Sequence, residues 1–176
     1  NSCRTPFASN RAEEKLMIWS LWGKLGRGEP KRAHPLLAHL LDAGQVAAAI
    51  WDSVLARGLR GRLAGAFCID EQGMRAWLAF FASLHDLGKA TPAFQVKAQP
   101  AFPELITGLR EKGLDIRANR PRSHGQLTAL ILKRELAEVI PSQESRLMRD
   151  LAEVVGGHHG TFEVLSPSVV GSRALG

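Results

Sequence analysis

The apolar residues of this chain recur at three- and four-residue intervals, and nowhere do they alternate one in two over a convincing length. Between Pro35 and Arg57 the set Leu36, Leu37, Leu40, Leu41, Ala47, Ile50, Trp51, Val54 and Leu55 follows the i, i+3, i+4 rhythm of one helix face. Pro35 suits the first turn of that helix, where its missing N–H removes no bond. A chain patterned this way must bury helix faces against one another, so the predicted fold class is all-α, a compact helical domain.

Other segments share the rhythm. Ala12 to Leu25, with Leu16, Trp19 and Trp22 three apart, predicts a helix closed by Gly23, Gly26, Gly28 and Pro30. Gly58, Gly61 and Gly65, among Arg57, Arg60 and Arg62, predict a flexible basic connection. Asp70 is placed to cap a helix through Trp77 and Leu84 that stops near Gly88. Thr91-Pro92 then reads as a cap with proline at the first helical position, and Pro103 to Lys112 as a further short helix. Gly113 to Arg122 predicts a loop. Ser123 to Gln126 forms an S-x-x-Q capping box for a helix to about Ile140, and Pro141-Ser142 restarts one that ends at Gly156-Gly157. Thr161 to Gly176 carries weak signals.

Length and charge narrow the class of molecule. At 176 residues, 45% hydrophobic and 23% charged, the chain has the makings of one globular domain with its own core. Lys plus Arg number 23 against 17 Asp plus Glu, and the resulting +6 favours polyanionic partners. Cys3 and Cys68 lie far apart with no metal-ligand spacing, which argues against a disulfide framework and for a reducing cytoplasm. The longest apolar run, Ala76 to Ala82, falls well short of the roughly 20 residues of a membrane span. No signal-peptide layout is visible at the start.

The histidines carry the chemistry. His34, His39, His85, His124, His158 and His159 include two dense groupings, His85-Asp86 at the end of an apolar helix and His158-His159 between glycines. A lone histidine is ordinarily a satisfied surface or core residue. Adjacent pairs where helices end can instead combine neutral imidazoles with a carboxylate, a donor set suited to Mn, Fe, Co, Ni or Zn.

Four motifs extend the pattern: His34-Pro35-Leu36-Leu37-Ala38-His39-Leu40-Leu41-Asp42; Leu84-His85-Asp86-Leu87-Gly88-Lys89 with Ala90-Thr91-Pro92-Ala93-Phe94-Gln95; Ser123-His124-Gly125; and Gly157-His158-His159-Gly160. In this order they resemble the HD nuclease domain of the type I CRISPR-associated helicase-nuclease, within the HD phosphohydrolase superfamily. H-D-x-G-K alone would indicate only the superfamily; the K-A-T-P-x-F-Q continuation with S-H-G and G-H-H-G is narrower.

The resemblance implies a single HD nuclease domain over 1–176, truncated at its C-terminus or part of a larger helicase-nuclease. It implies one divalent ion on His39, His85 and Asp86 and a second on Asp86, His124, His158 and His159, with Asp86 bridging. The family's first set is completed by a later aspartate, whereas no Asp follows Asp150 here. The implied ions are transition metals such as Fe, Mn, Co or Ni, and the implied reaction is hydrolysis of single-stranded DNA. The implied partners are a helicase domain or subunit and a guide-RNA surveillance complex.

Catalytic roles are expected for Asp86 and for Lys89, whose charge could stabilise the phosphate. His34 is expected to be peripheral, and Asp42, one turn after His39, either orients that imidazole or is a solvated acid. Thr91 and Ser123 are expected to cap helices and Phe94 to pack. The arginines at 57, 60 and 62 and at 117, 120 and 122 could meet strand phosphates or simply face water. Ser83 to Lys89 is no Walker A loop, because Ser83 stands where its first glycine belongs and Ala90 where Ser or Thr should follow. Two other readings stay open: a phosphohydrolase acting on nucleotides, and a non-catalytic nucleic-acid-binding helicase module.

Overall fold

The computed structural model of the chain describes residues 18–26, 28, 32–116, 123–139 and 145–160. After helical residues at 18–20, strand β1 (Trp22–Leu25) pairs antiparallel with β2 (Ala33–Pro35), with an irregularity between Trp22 and Lys24. Helices α1 (Leu36–Ser53), α2 (Arg57–Ala66) and α3 (Glu71–Ser83) follow. Beyond them lie a 3-10 turn at Leu87–Ala90, the short α4 (Pro92–Gln95) and a second 3-10 turn at Val96–Ala98. The chain continues through α5 (Pro103–Glu111), α6 (His124–Val139) and α7 (Ser145–Gly156). Helix α1 packs on α3, α6 on α7, and the Leu87–Ala90 turn on α6. No helix among the described residues is long and apolar enough to cross a membrane.

The architecture is helical, as the periodicity predicts, with one addition. The segment expected to remain helical to Leu25 turns extended at Trp22, and residues 12–17 lie outside the described residues. The cause is not local. The side-chain amide of Gln95 accepts from Trp22 N at 3.1 Å and donates to Trp22 O at 3.0 Å, acting as a strand partner from far along the chain. The same amide donates to Lys89 O at 2.7 Å, which ties the hairpin to the turn after α3.

The predicted basic connection is also helical. Although each glycine in a helix interior costs about 0.8–1.0 kcal/mol against Ala, α2 gains burial for Ala64, which joins Trp51 and Met74 in a core cluster with Leu63 and Phe67 packed against it. A second cluster gathers Trp22, Phe94, Phe102, Ile106, Leu109 and Ile116. Full burial of an aliphatic side chain such as Ile106 contributes roughly 1.5–3 kcal/mol.

Local signals place the helix starts. Asp70 Oδ1 accepts from Gly73 N at 2.6 Å. In the Ser123 box, Ser123 Oγ accepts from Gln126 N at 3.2 Å and Gln126 Oε1 from Ser123 N at 3.3 Å. Pro92 opens α4 as expected, while Pro35 ends β2 and precedes α1 instead of standing inside it. Helix α3 ends at Ser83, before the predicted Gly88. The Pro141-Ser142 restart and most of the 113–122 loop lie outside the described residues, as do Arg117, Arg120 and Arg122.

Two close approaches fix the end of the bundle where the histidines lie. A Cβ at Gly88 would sit 2.0 Å from His124 O and 2.6 Å from Thr128 N, so only glycine lets the turn lie flat against α6. Gly125 and Gly156 meet across α6 and α7, where a Cβ on either would come within 2.3 or 2.6 Å of the other's carbonyl oxygen.

Candidate metal centre

Four chain segments deliver side chains to the buried carboxylate of Asp86. Helix α1 brings His39, the turn after α3 brings His85 with Asp86 itself, α6 opens with His124, and α7 leads into His158 and His159. Thr128, fully buried on α6, fastens the turn: its hydroxyl accepts from Gly88 N at 2.8 Å and donates to His85 O at 3.1 Å. Thr91 stands at the N-cap of α4, as expected, but its Oγ1 donates to Gly88 O at 2.8 Å and closes that turn instead of bonding an α4 N–H.

The two oxygens of Asp86 face different neighbours. Oδ2 lies 2.8 Å from His39 Nε2, 3.0 Å from His85 Nε2 and 2.7 Å from Lys89 Nζ. Oδ1 lies 3.1 Å from His124 Nε2 and 3.4 Å from His158 Nε2. His159 Nε2 stands 2.8 Å from His124 Nε2. Two groups of donor atoms result, His39–His85–Asp86 and Asp86–His124–His158–His159, each with all its atoms within 4.8 Å of one another.

Electrostatics favour the charge states that ligation requires. Burial is the largest influence on Asp86 and opposes its ionisation. The surrounding His124, His85, Lys89 and His39 side chains outweigh burial and hold the carboxyl far below the usual carboxylate range. At His39 and His158 burial dominates and lowers the pKa, favouring the neutral imidazole that binds metal.

The donor set fits a cation on two further grounds. Asp86 Oδ1 is buried without a well-formed hydrogen bond, although His124 Nε2 lies 3.1 Å away. His85 Nδ1 and His158 Nδ1 each lie 2.9 Å from a backbone carbonyl, of Ala82 and Val155. A carbonyl only accepts, so in the neutral ring Nδ1 carries the proton and Nε2 presents a lone pair. In that neutral form the lone pairs face Asp86 oxygens, acceptor against acceptor, and a shared cation would satisfy both, whereas in the metal-free site a protonated ring donates to the carboxylate instead.

Residues 22–171 match the family described as "Cas3, HD domain". The chain belongs to this family. It is 35% identical over 151 residues to the CRISPR-associated endonuclease/helicase Cas3 of Thermus thermophilus, over 80% of this chain and 14% of that protein. A solved structure titled "Crystal structure of CRISPR-associated protein" superposes with TM-score 0.82 at 34% identity, over 98% of this chain and 19% of that one. The crystal structure of T. fusca Cas3 superposes with TM-score 0.66 at 28% identity, over 85% of this chain and 16% of that one. The chain thus spans less than one fifth of the length of these relatives.

Within this Cas3 HD domain, the six residues singled out as metal ligands, His39, His85, Asp86, His124, His158 and His159, converge. Lys89 reaches the same place from below: its ammonium donates to Gly23 O at 3.1 Å besides meeting Asp86, and its side chain is largely buried. His34 lies outside both groups. Asp42 pairs with His34 at 3.2 Å instead of orienting His39. Phe94 is buried between Trp22 and the edge of the His124 ring, so it packs. Arg60 is engaged inside the fold with Trp51 O and Glu71. Sequence reasoning passed over Thr128 and assigned no role to Gln95. The available signals were a hydroxyl among the apolar residues of α6 and a fully buried amide just past the lysine motif.

Proposed function

We propose that this domain is a metal-dependent nuclease that cleaves single-stranded DNA in type I CRISPR interference. The observation that carries the reading is the division of Asp86, with one oxygen toward His39 and His85 and the other toward His124 and His158. His39, His85 and Oδ2 would hold one ion, and His124, His158, His159 and Oδ1 a second; imidazole-rich donors favour Fe, Mn, Co or Ni over Mg. Bound there, such ions supply an activated water and neutralise charge on the phosphodiester.

The chain's own residues do the rest. Asp86 stays ionised and, shared between the two sets, would lower the repulsion between cations held there. The carbonyls of Ala82 and Val155 fix His85 and His158 in the ligating tautomer. Lys89, held by Gly23 O, keeps Asp86 oriented and places a positive charge inside the centre, where phosphate charge accumulates. The net +6 of the chain draws a polyanionic strand.

The name endonuclease/helicase carried by a relative supports a nuclease domain working beside a helicase domain. To this we add that the 176 residues form a single HD nuclease domain, supplied in the cytoplasm with DNA opened by a guide-RNA surveillance complex. The deciding experiment is anaerobic reconstitution with Mn, Fe, Co, Ni, Zn or Mg, followed by incubation with circular single-stranded DNA, with Asp86→Ala as control. Cleavage that depends on a transition ion and on Asp86 is expected. Faster hydrolysis of free nucleotides would transfer the site to the nucleotide phosphohydrolases. Metal binding without any cleavage would leave a nucleic-acid-binding module.

A further inference from the structure

Beside the Asp86 centre, between α3 and α7, lies a cavity of about 280 Å³ to which the reading above gives no task. Its lining is aromatic and aliphatic, with Phe67, Trp77 and Phe81 on one side and Val154 of α7 on the other, and it includes His85 and His158. Trp77 and Phe81 lie 5.4 Å apart between ring centroids and Phe67 and Trp77 6.4 Å, so the three rings line one continuous wall. Trp77 and Val154 are exposed at the rim, which makes the cavity reachable.

We infer that this cavity receives one unstacked nucleobase of the strand whose phosphodiester lies at the Asp86 centre. The inference rests on the proposed nuclease reading and adds a base subsite to it. Three observations support that occupant. The volume lies just below the roughly 300–1,000 Å³ typical of small-ligand pockets, which suits one planar heterocycle. Aromatic walls stack with any base, because every base has a π-face. The lining includes the same His85 and His158 whose Nε2 atoms face the two oxygens of Asp86, so the cavity adjoins the centre at which a phosphate would lie.

The chemistry of the wall also sets the selectivity. The Nδ1 hydrogens of both histidines are committed to Ala82 O and Val155 O, and the remaining walls are apolar. Nothing there reads a base edge, so recognition is indifferent to sequence. A base held in a duplex cannot leave its stack without losing its pairing, so the cavity selects for unpaired strands.

Tryptophan fluorescence of the metal-free protein tests this without relying on catalysis. A short oligothymidylate is expected to quench the Trp77 emission, while an abasic sugar-phosphate strand of equal length is not. Trp77→Phe should lose that quenching. Val154→Glu, at an exposed rim position, should lose it too. No quenching by oligothymidylate, as expected if the groove seats polypeptide instead, equal quenching by both strands, or undiminished quenching in Trp77→Phe overturns the base subsite. Cleavage of circular DNA alongside such a result would leave the nuclease reading standing. Base-dependent quenching in a protein that never cleaves would keep the subsite and remove the nuclease.

Discussion

His85 and His158 meet edge to face, 5.1 Å between ring centroids, and each is oriented by the carbonyl of the residue three positions before it. They come from different helix ends yet present Nε2 to the two oxygens of one carboxylate. If the two donor groups are separate sites, their ligands are separable. His158→Ala should lose one equivalent of bound metal and weaken binding by more than the about 10–100-fold typical of losing an outer partner. His39→Ala should lose the other equivalent. Elemental analysis after dialysis checks both, and loss of both ions in each variant would merge the groups into one site.

Asp86→Asn keeps the shape of the side chain and removes its charge. Both equivalents should be lost and cleavage abolished. Metal-bound Asp86→Asn protein that cuts DNA at the parental rate would eliminate the bridge.

Lys89→Met preserves length and apolar stem while deleting the ammonium that holds Asp86 and Gly23 O. The metal-free protein should lose about 1–3 kcal/mol of stability, the range for leaving buried polar groups unsatisfied. Reconstituted protein should retain its metal and cut more slowly. Denaturant titration of the metal-free form and single-turnover cleavage of the loaded form separate the two effects.

Gly88→Ala drives a methyl into the α6 backbone, 2.0 Å from His124 O. Overpacking of this kind costs typically about 1–3 kcal/mol. The same shift displaces His124 from Asp86 Oδ1, so the second donor group should suffer more than the first. Thermal unfolding and metal stoichiometry report the two consequences.

The pairing of Asp52 with Arg75 predicts a pH dependence away from the centre. The hydrogen bonds from the Arg75 guanidinium hold the Asp52 carboxyl below its usual range. A depressed folded-state pKa stabilises above the unfolded value, about 3.9, and that contribution disappears as pH falls through the folded value. The melting temperature of Asp52→Asn should therefore trail the parent at neutral pH and converge with it in strong acid. A constant gap across that range would assign the effect to packing.

Much of this was legible in the sequence because its signals are local. Asp70 and the Ser123–Gln126 box mark helix starts by bonds spanning three residues, and the His-Asp pair and the two later histidine motifs each lie where a helix begins or ends. The hairpin was not legible, since a four-residue strand is too short to show alternation and its partner is the amide of Gln95. Helix α2 was hidden by its glycines, whose cost is met by the burial of Ala64 against Trp51 and Met74. The division of Asp86 between two imidazole groups required the family resemblance, because no spacing in the sequence says which face of a carboxylate a distant histidine will meet.

The use of Gln95 as a strand partner also limits how this domain can be approached. The amide occupies both main-chain groups of Trp22, and Lys89 takes the carbonyl of Gly23. At Trp22 and Gly23 that border of the hairpin is already taken, which protects these positions from adventitious strand addition. A neighbour seated there must grip side chains rather than extend the ladder.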